Sequence, residues 1–161
     1  MDAYETSQAV APIRKSITVD VPQRRAFEFF VEHHAQWWPV AGHRILEGST
    51  GAAIEPREGG RWFEFGGPEG ECDWGRVLAY EPPERLLLAW QLDAEWRYDP
   101  DFVTEVEIRF LPEGESATRV DLEHRGMDRF SAAVRASFDG ENGWSAVLDA
   151  FGGGLLPATA P

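Results

Sequence analysis

A long uninterrupted stretch of strand and turn signals, residues 44–124, constrains the fold of this chain more than any other feature. Short runs rich in β-branched and aromatic residues recur through it, and none has the period of about 3.6 residues that marks a helix. Turn-forming connectors separate the runs: REGG, GGPEGE, EPPER, RYDPD and LPEGES. Because these connectors are too short to hold a crossover helix, the pattern predicts antiparallel hairpins. The predicted strands are residues 44–47, 52–56, 61–65, 72–80, 86–92, 104–111 and 118–124.

One further strand and two helices precede this stretch. The segment IRKSITVDV, which begins at Ile13, alternates apolar and polar side chains and predicts a strand. Pro22 suits the first turn of a helix, and the apolar residues after it fall at helical spacing. We therefore predict an amphipathic helix that runs into a second, short helix before Pro39. The residues at this spacing are Phe27, Phe30, Val31, His34 and Trp38.

Helical signals return after Gly126. SAAVRASF predicts a short helix, which DGENG interrupts. Four apolar residues then follow at i, i+3, i+4 and i+7, a spacing that predicts an amphipathic C-terminal helix. They are Trp144, Val147, Leu148 and Phe151. The three glycines at 152–154 are expected to end this helix.

This order of elements predicts an α+β fold. A curved antiparallel sheet of about six or seven strands would wrap around the long C-terminal helix, with two short helices after strand 1. A sheet that grips a helix in this way often leaves a cavity between them. We expect one domain at residues 12–151, a flexible N-terminus at 1–11 and a flexible tail at 152–161.

The charge balance narrows the range of partners. Asp and Glu total 28 against 15 Lys and Arg, which gives a formal net charge of −13. So acidic a surface repels nucleic-acid phosphates and anionic lipids, and we expect neither a nucleic-acid partner nor a membrane partner. The single cysteine, Cys72, excludes an internal disulfide, and the acidic N-terminal residues do not form a secretory signal. A cytoplasmic location is therefore expected.

Several motifs point to a known superfamily. They are VPQRRAFEFF, WWP, EPREGGRWFE, CDWGRVLAYEPPERLLLAWQ, TEVEIRF, TRVDLEHRGM and GWSAVLDAF. From Ile13 to Phe151 the chain resembles the START-related helix-grip (SRPBCC) proteins, which include pollen allergens, polyketide cyclases and lipid-transfer domains. Within them it resembles the branch homologous to activators of the heat-shock protein 90 ATPase. The resemblance implies a hydrophobic cavity between the sheet and the C-terminal helix, in which members carry, sense or transform small apolar molecules.

Aromatic and aliphatic side chains on the inward faces are the candidate ligand-binding residues. Alternation in ERLLLAWQL places Leu88 and Trp90 on one face of their strand, and Trp144 lies on the C-terminal helix. Each side chain taken singly is also explained by solid packing, but together on this fold we expect some to line a hollow, Trp144 foremost. The full set is Phe30, Trp38, Trp62, Val77, Leu88, Trp90, Ile108, Trp144 and Leu148.

The inward face of residues 72–80 has two alternatives. The alternating set that begins at Asp73 contains small or β-branched residues, which suit a concave face. The set that begins at Cys72 contains Arg76, which prefers water. We favour the first set, in which Gly75 leaves room for a ligand or a large neighbour.

Three ionisable residues are candidates for catalysis. The favoured register directs Asp73 into the cavity, where Glu64 and His124 would join it as a polar anchor or a general acid/base group. The alternative places the carboxylates at the cavity mouth, in water, or in ion pairs with Arg61 or Arg76. We prefer that alternative, because charges are rarely buried unpaired.

No motif indicates a metal, a cofactor or a nucleotide. Adjacent His33 and His34 point to different faces of their helix, which prevents them from chelating one metal ion. We expect His33, His34 and His43 to be surface residues. The glycine-containing segments lack the lysine and the strand-to-helix context of a phosphate-binding loop.

We therefore expect the chain to bind a small hydrophobic or aromatic molecule between the sheet and the C-terminal helix. One alternative is an enzyme of the cyclase or hydratase type that uses Glu64, Asp73 or His124. A second alternative, which follows from the resemblance, is a stress-related or chaperone-associated interaction module. The chain is expected to be a monomer or a homodimer.

Overall fold

The structure is a computed structural model and describes residues 10–155. Its strands are β1 (Ile13–Val19), β2 (Gly51–Ile54), β3 (Arg61–Gly67), β4 (Gly70–Glu81), β5 (Arg85–Trp90), β6 (Thr104–Pro112) and β7 (Thr118–Arg125). They form one sheet in the order β1-β7-β6-β5-β4-β3-β2, and every neighbouring pair is antiparallel. Most of the residues predicted to be flexible, in 1–11 and 152–161, lie outside the described range.

The described residues also form four α-helices and one short 3₁₀-helix. They are α1 (Gln23–Glu32), α2 (His34–Trp37), α3 (Ala132–Asp139), α4 (Trp144–Leu155) and the 3₁₀-helix Met127–Arg129. The four apolar residues whose spacing predicts the C-terminal helix are all buried in α4. The predicted fold class, an α+β sheet curled around a C-terminal helix, is confirmed. None of the helices within residues 10–155 is long and apolar enough to cross a membrane.

The core lies between the concave face of the sheet and the helices α1 and α4. Alternation along the central strands directs one set of side chains inward, so that Leu88 of β5 pairs with Val106 of β6 and both are buried. Phe151 of α4 is buried and contacts Phe30 of α1, with ring centroids 5.2 Å apart. The C-terminal part of α4 therefore packs against β1 and the first helix.

The convex face of the sheet carries an ion-pair cluster around Glu107. Arg85 contacts the buried Glu107 carboxylate, and the guanidinium groups of Arg109 and Arg125 each lie 2.9 Å from it. Burial alone would raise the pKa of Glu107. Hydrogen bonds from Arg85 and Arg125, together with the positive charges of Arg109 and Arg125, outweigh burial and hold this pKa below its ordinary value. These arginines compensate a buried charge within a strongly acidic chain.

The strand predicted at residues 44–47 is wrong. This segment consists of bends and turns. The backbone N–H groups of Ile45 and Leu46 donate to the carboxylate of Glu64, at 2.5 and 2.8 Å. These backbone groups therefore bond to a buried side chain instead of to a neighbouring strand. Alternation in the sequence does not reveal such a partner.

The C-terminal helix continues through the three glycines that were expected to end it. It runs to Leu155. Two of these glycines are positions of close packing. A Cβ atom on Gly152 would lie 2.7 Å from Cδ1 of Ile17, and one on Gly154 would lie 3.0 Å from the ring of Phe29. The glycines allow α4 to approach β1 and α1 closely instead of breaking the helix.

Candidate functional site

A cavity of about 710 Å³ opens beside the first turn of α4. Four segments surround it: the loop at 42–45, the loop at 92–96 after β5, the end of α3, and the loop at 140–143 that joins α3 to α4. A volume of this size is typical of sites for drug-sized ligands. The hollow thus lies at one end of the gripped helix.

Five of the seven tryptophans line this cavity: Trp38, Trp74, Trp90, Trp96 and Trp144. Their rings form a chain of contacts. The centroid of Trp38 lies 5.1 Å from that of Trp74, and the centroid of Trp90 lies 6.1 Å from that of Trp96. Trp144 joins the two pairs, since its ring is 6.3 Å from Trp38 and 5.6 Å from Trp90. The five rings therefore form one continuous aromatic surface within the lining, which favours contact with flat apolar molecules.

Trp74 reaches the cavity through an irregularity in β4. Trp62 pairs with Gly75 and Phe63 pairs with Asp73, so that Trp74 is an extra residue between them. This bulge interrupts the alternation and turns the Trp74 side chain inward, where it is buried. Strict alternation in the favoured register directs Trp74 outward, so alternation does not predict it as a lining residue.

Trp96 has an unusual backbone conformation. Its φ is 63°, and it is the only residue other than glycine with positive φ in the described part of the chain. The Asp93 carboxylate holds the turn, because its Oδ1 accepts from the N–H groups of Glu95 at 2.9 Å and Arg97 at 3.1 Å. Trp96 is 41% exposed, and its indole contacts that of the buried Trp90. The turn thus presents a large aromatic side chain at the rim.

The rim also carries polar groups. Arg44 and Glu141 are exposed there. Both ring nitrogens of His43 lie near carbonyl oxygens, Nδ1 at 3.1 Å from Pro39 and Nε2 at 2.7 Å from Asn142. His43 therefore connects the loop before β2 with the loop that joins α3 to α4, on two sides of the opening.

Three of the nine predicted ligand-binding residues line the cavity: Trp38, Trp90 and Trp144. The other six are buried in the core and are absent from its lining: Phe30, Trp62, Val77, Leu88, Ile108 and Leu148. All six belong to the packed hydrophobic core. The aromatic pattern in the sequence identifies which side chains face the inside of the fold. It does not show where the helix and the sheet separate and leave a cavity.

Glu64, a predicted catalytic candidate, is fully buried beside the cavity and does not line it. Besides the two backbone N–H groups of the 45–46 turn, its carboxylate accepts from Ser49 Oγ at 2.5 Å and from Trp74 Nε1 at 2.7 Å. Four donors occupy the acceptor positions of a carboxylate. Glu64 thus fixes a lining loop and a lining tryptophan in place.

Asp73 lies away from the cavity. Its Oδ1 accepts from Arg61, at 3.0 Å from Nε and 2.7 Å from Nη2. Both side chains are partly exposed. Asp73 therefore forms the ion pair with Arg61 that was the preferred alternative. The favoured register holds at Gly75 and Val77, which are buried, but not at Asp73.

His124 is buried directly behind the cavity wall. Its Nδ1 accepts from the indole N–H of Trp144 at 3.1 Å, so the proton is on Nε2, which donates to Thr104 Oγ1 at 2.8 Å. Burial lowers its pKa to about 3. His124 is therefore neutral at pH values near 7, and both of its nitrogens are hydrogen-bonded. Its hydrogen bond with Trp144 fixes the orientation of that indole.

The expectation that His34 lies at the surface is wrong. It is buried, accepts from Trp62 Nε1 at 3.2 Å, and donates from Nδ1 to the carbonyl of Phe30 at 3.0 Å. Burial lowers its pKa to about 3, although the hydrogen bond to Phe30 acts in the opposite direction. Its helical spacing with Phe27 and Phe30 was the signal for burial. Within residues 10–155 no group of three or more His, Cys, Asp or Glu side chains is arranged to hold a metal ion.

The family model described as "Activator of Hsp90 ATPase homolog 1-like protein" matches residues 20–153. The chain belongs to this family. The resemblance to the SRPBCC superfamily and to this branch is therefore confirmed. A search of curated proteins found no match.

Solved structures of known proteins share the fold. An anthrahydroquino-γ-pyrone synthase, Txn09, is 33% identical with a TM-score of 0.64, and the match covers 91% of this chain and 97% of that one. CalC, a self-sacrificing resistance protein from Micromonospora echinospora, is 29% identical with a TM-score of 0.64 and coverage of 89% and 92%. Protein NE0264 from Nitrosomonas europaea, at 16% identity and a TM-score of 0.59 with coverage of 90% and 94%, has the same fold.

Proposed function

We propose that this chain binds a small, flat molecule of fused aromatic rings in the tryptophan-lined cavity. The observation that carries the proposal is that five of seven tryptophans line one opening of about 710 Å³. Fused rings present broad apolar faces and edges, and indoles contact both favourably. The polar groups at the rim are then available to hydroxyl or carbonyl substituents of the ligand.

The similarity to Txn09 supports the same class of ligand. That protein is named as a synthase of an anthrahydroquinone joined to a γ-pyrone, which is a fused-ring aromatic skeleton, and it is 33% identical to this chain. The feature that we carry over is the flat polycyclic shape. It agrees with the aromatic lining found here independently of the comparison.

Calorimetric titration with 1,8-dihydroxyanthraquinone tests the proposal. Trp38 lines the cavity and its neighbour Trp37 does not, although both are buried. We expect Trp38→Phe to raise the Kd about 5-fold, since one indole contact is worth on the order of 1 kcal/mol. Trp37→Phe removes no group from the lining and should change the Kd less than about 2-fold. Absence of binding to the unaltered protein, or equal losses in the two variants, would overturn the proposal.

Catalysis in the same cavity is a second candidate, favoured because the relative Txn09 is a synthase. Glu64, Asp73 and His124 do not line the cavity, so an acid/base role would fall to a rim residue such as His43. In that case His43→Ala would abolish conversion of a fused-ring aromatic substrate, measured by liquid chromatography and mass spectrometry. The Kd for dihydroxyanthraquinone would stay within about 3-fold. Unchanged conversion in the variant would exclude His43 as the catalytic group.

A further inference from the structure

The three tryptophans on one wall of the cavity differ in depth. Trp144, at the first turn of α4, is 4% exposed, Trp90 is 7% exposed, and Trp96 is 41% exposed. Each ring contacts the next, at 5.6 Å between Trp144 and Trp90 and 6.1 Å between Trp90 and Trp96. The ring of Trp96 also lies 5.6 Å from that of Phe138, a further lining residue. The wall therefore extends from the buried end of the cavity outward to the solvent.

Trp96 occupies its position against the preference of its own backbone. A φ of 63° is a left-handed conformation, which disfavours every L-residue except glycine by about 1–2 kcal/mol. An exposed turn has no need of tryptophan at such a position, and glycine would adopt the conformation without strain. Strain of this kind at a cavity rim is typical of functional positions.

We propose that Trp96 determines the specificity of the cavity by selecting ligands with several fused rings. This inference rests on the proposed function. A one-ring ligand is enclosed by the buried tryptophans and gains little from Trp96. The outer rings of a three-ring ligand extend along the wall as far as Trp96 and are desolvated against its indole.

Asp93 is the positioning residue for this side chain. Its carboxylate accepts from two backbone N–H groups of the turn, and its carbonyl accepts from the N–H of Trp96 at 2.9 Å. The N–H of Asp93 in turn donates to the carbonyl of Arg97 at 2.9 Å. The turn is thus already ordered in the free protein. Ligand binding therefore carries no entropic cost of ordering this turn.

Tyr98 provides a matched control. It lies on the same loop and is 38% exposed, close to the value for Trp96, but it does not line the cavity. Its backbone pairs with that of Leu92. Replacing either aromatic residue by alanine removes an exposed ring from this loop, and only one replacement shortens the cavity wall.

The test measures the Kd of phenol, 1-naphthol and 1,8-dihydroxyanthraquinone for the unaltered protein, Trp96→Ala and Tyr98→Ala. We expect Trp96→Ala to weaken binding of the three-ring probe about 10-fold and that of phenol less than about 2-fold, whereas Tyr98→Ala changes neither. Full retention of three-ring affinity by Trp96→Ala, or an equal loss for all probes, would overturn this inference and leave the proposed function standing. Failure of the unaltered protein to bind any probe would overturn both.

Two further comparisons separate the side chain from the turn. Trp96→Gly should bind like Trp96→Ala but melt about 3 °C higher, since glycine relieves the left-handed conformation. Asp93→Ala should reproduce the loss of three-ring affinity, and Asp93→Asn, which keeps the accepting oxygen, should restore it. Equal melting temperatures for Trp96→Gly and Trp96→Ala would contradict backbone strain at position 96. Loss of three-ring affinity in Asp93→Asn would contradict the role of Asp93 in positioning Trp96.

Discussion

The indole N–H of Trp144 donates to Nδ1 of His124 at 3.1 Å, and this hydrogen bond ties the wall of the cavity to the core of the sheet. A second pair repeats the relationship, because the indole of Trp62 donates to Nε2 of His34 at 3.2 Å. Both histidines are buried, and both are held in the neutral form. The central tryptophan of the cavity is therefore oriented by a specific hydrogen bond as well as by packing.

Replacing Trp144 with phenylalanine should destabilise the protein beyond the effect of a smaller ring. The variant keeps an aromatic side chain but leaves the buried Nδ1 of His124 without a donor, at a cost of about 1–3 kcal/mol. Urea unfolding measures this change. Trp62→Phe should cost a similar amount, while Trp96→Phe, at a half-exposed position, should cost less than about 0.5 kcal/mol. A cost for Trp144→Phe no larger than that for Trp96→Phe would show that the hydrogen bond contributes nothing.

Mild acid should destabilise the protein through His34 and His124. Burial lowers both pKa values from 6.5 to about 3, so below pH 6.5 the unfolded chain binds protons that the folded chain does not. The free energy of unfolding should therefore fall as the pH falls from about 6.5 towards about 3, by up to about 1.4 kcal/mol per pH unit for each histidine. Urea unfolding at about pH 7 and about pH 5 measures the loss, and His34→Gln should reduce its slope. A free energy that stays constant over this interval would contradict burial of the two imidazoles.

Replacing Glu64 with glutamine should loosen the loop that borders the cavity. The carboxylate accepts four hydrogen bonds, two on each oxygen. An NH₂ group in place of Oε1 would face the N–H of Ile45 and the indole N–H of Trp74. In place of Oε2 it would face the N–H of Leu46 and the hydroxyl of Ser49. We expect a loss of about 2–3 kcal/mol in thermal or urea unfolding, with weaker ligand binding because Trp74 lines the cavity. Glu71→Gln removes only an exposed ion pair with Arg61 and should cost less than about 0.5 kcal/mol. Equal losses for the two variants would show that the Glu64 contacts are unimportant.

Alanine should have opposite effects at two glycines. A Cβ atom on Gly75 would lie 1.7 Å from the carbonyl oxygen of Ala89, so Gly75 permits close approach of β4 to β5 and does not leave room for a ligand. Gly75→Ala should therefore destabilise the protein by about 3 kcal/mol or more, or prevent folding. Gly153, in α4, has no atom within 4 Å of a Cβ position, and Gly153→Ala should stabilise the helix by about 0.5–1 kcal/mol. Melting curves of the two variants decide the matter, and a tolerated Gly75→Ala would contradict the strand geometry described here.

The sheet and the gripped helix could be predicted because their signals are local. The spacing of Trp144, Val147, Leu148 and Phe151 defines the buried face of α4, and alternation defines the inner layer of β5 to β7. The strand predicted at 44–47 failed because the carboxylate of Glu64 satisfies backbone groups there, and such a partner is distant in sequence.

The cavity was harder to predict than the fold. Trp38, Trp90 and Trp144 were identified, but Trp74 turns inward through a bulge that alternation does not show. Trp96 stands on a turn outside every predicted element, and its role depends on a loop conformation. The hollow itself depends on where the helix separates from the sheet, which follows from the packing of many side chains and not from any one motif.

Resonances of the tryptophan indole N–H groups give the most direct test of aromatic ligand binding in this cavity. The chain has seven tryptophans, and a nitrogen-15 correlation spectrum records one indole signal for each. On titration with 1,8-dihydroxyanthraquinone, we predict that the signals of the lining residues Trp38, Trp74, Trp90, Trp96 and Trp144 shift more than those of Trp37 and Trp62. A spectrum that does not change, or one in which Trp37 and Trp62 shift most, would contradict the assignment of this cavity as the binding site.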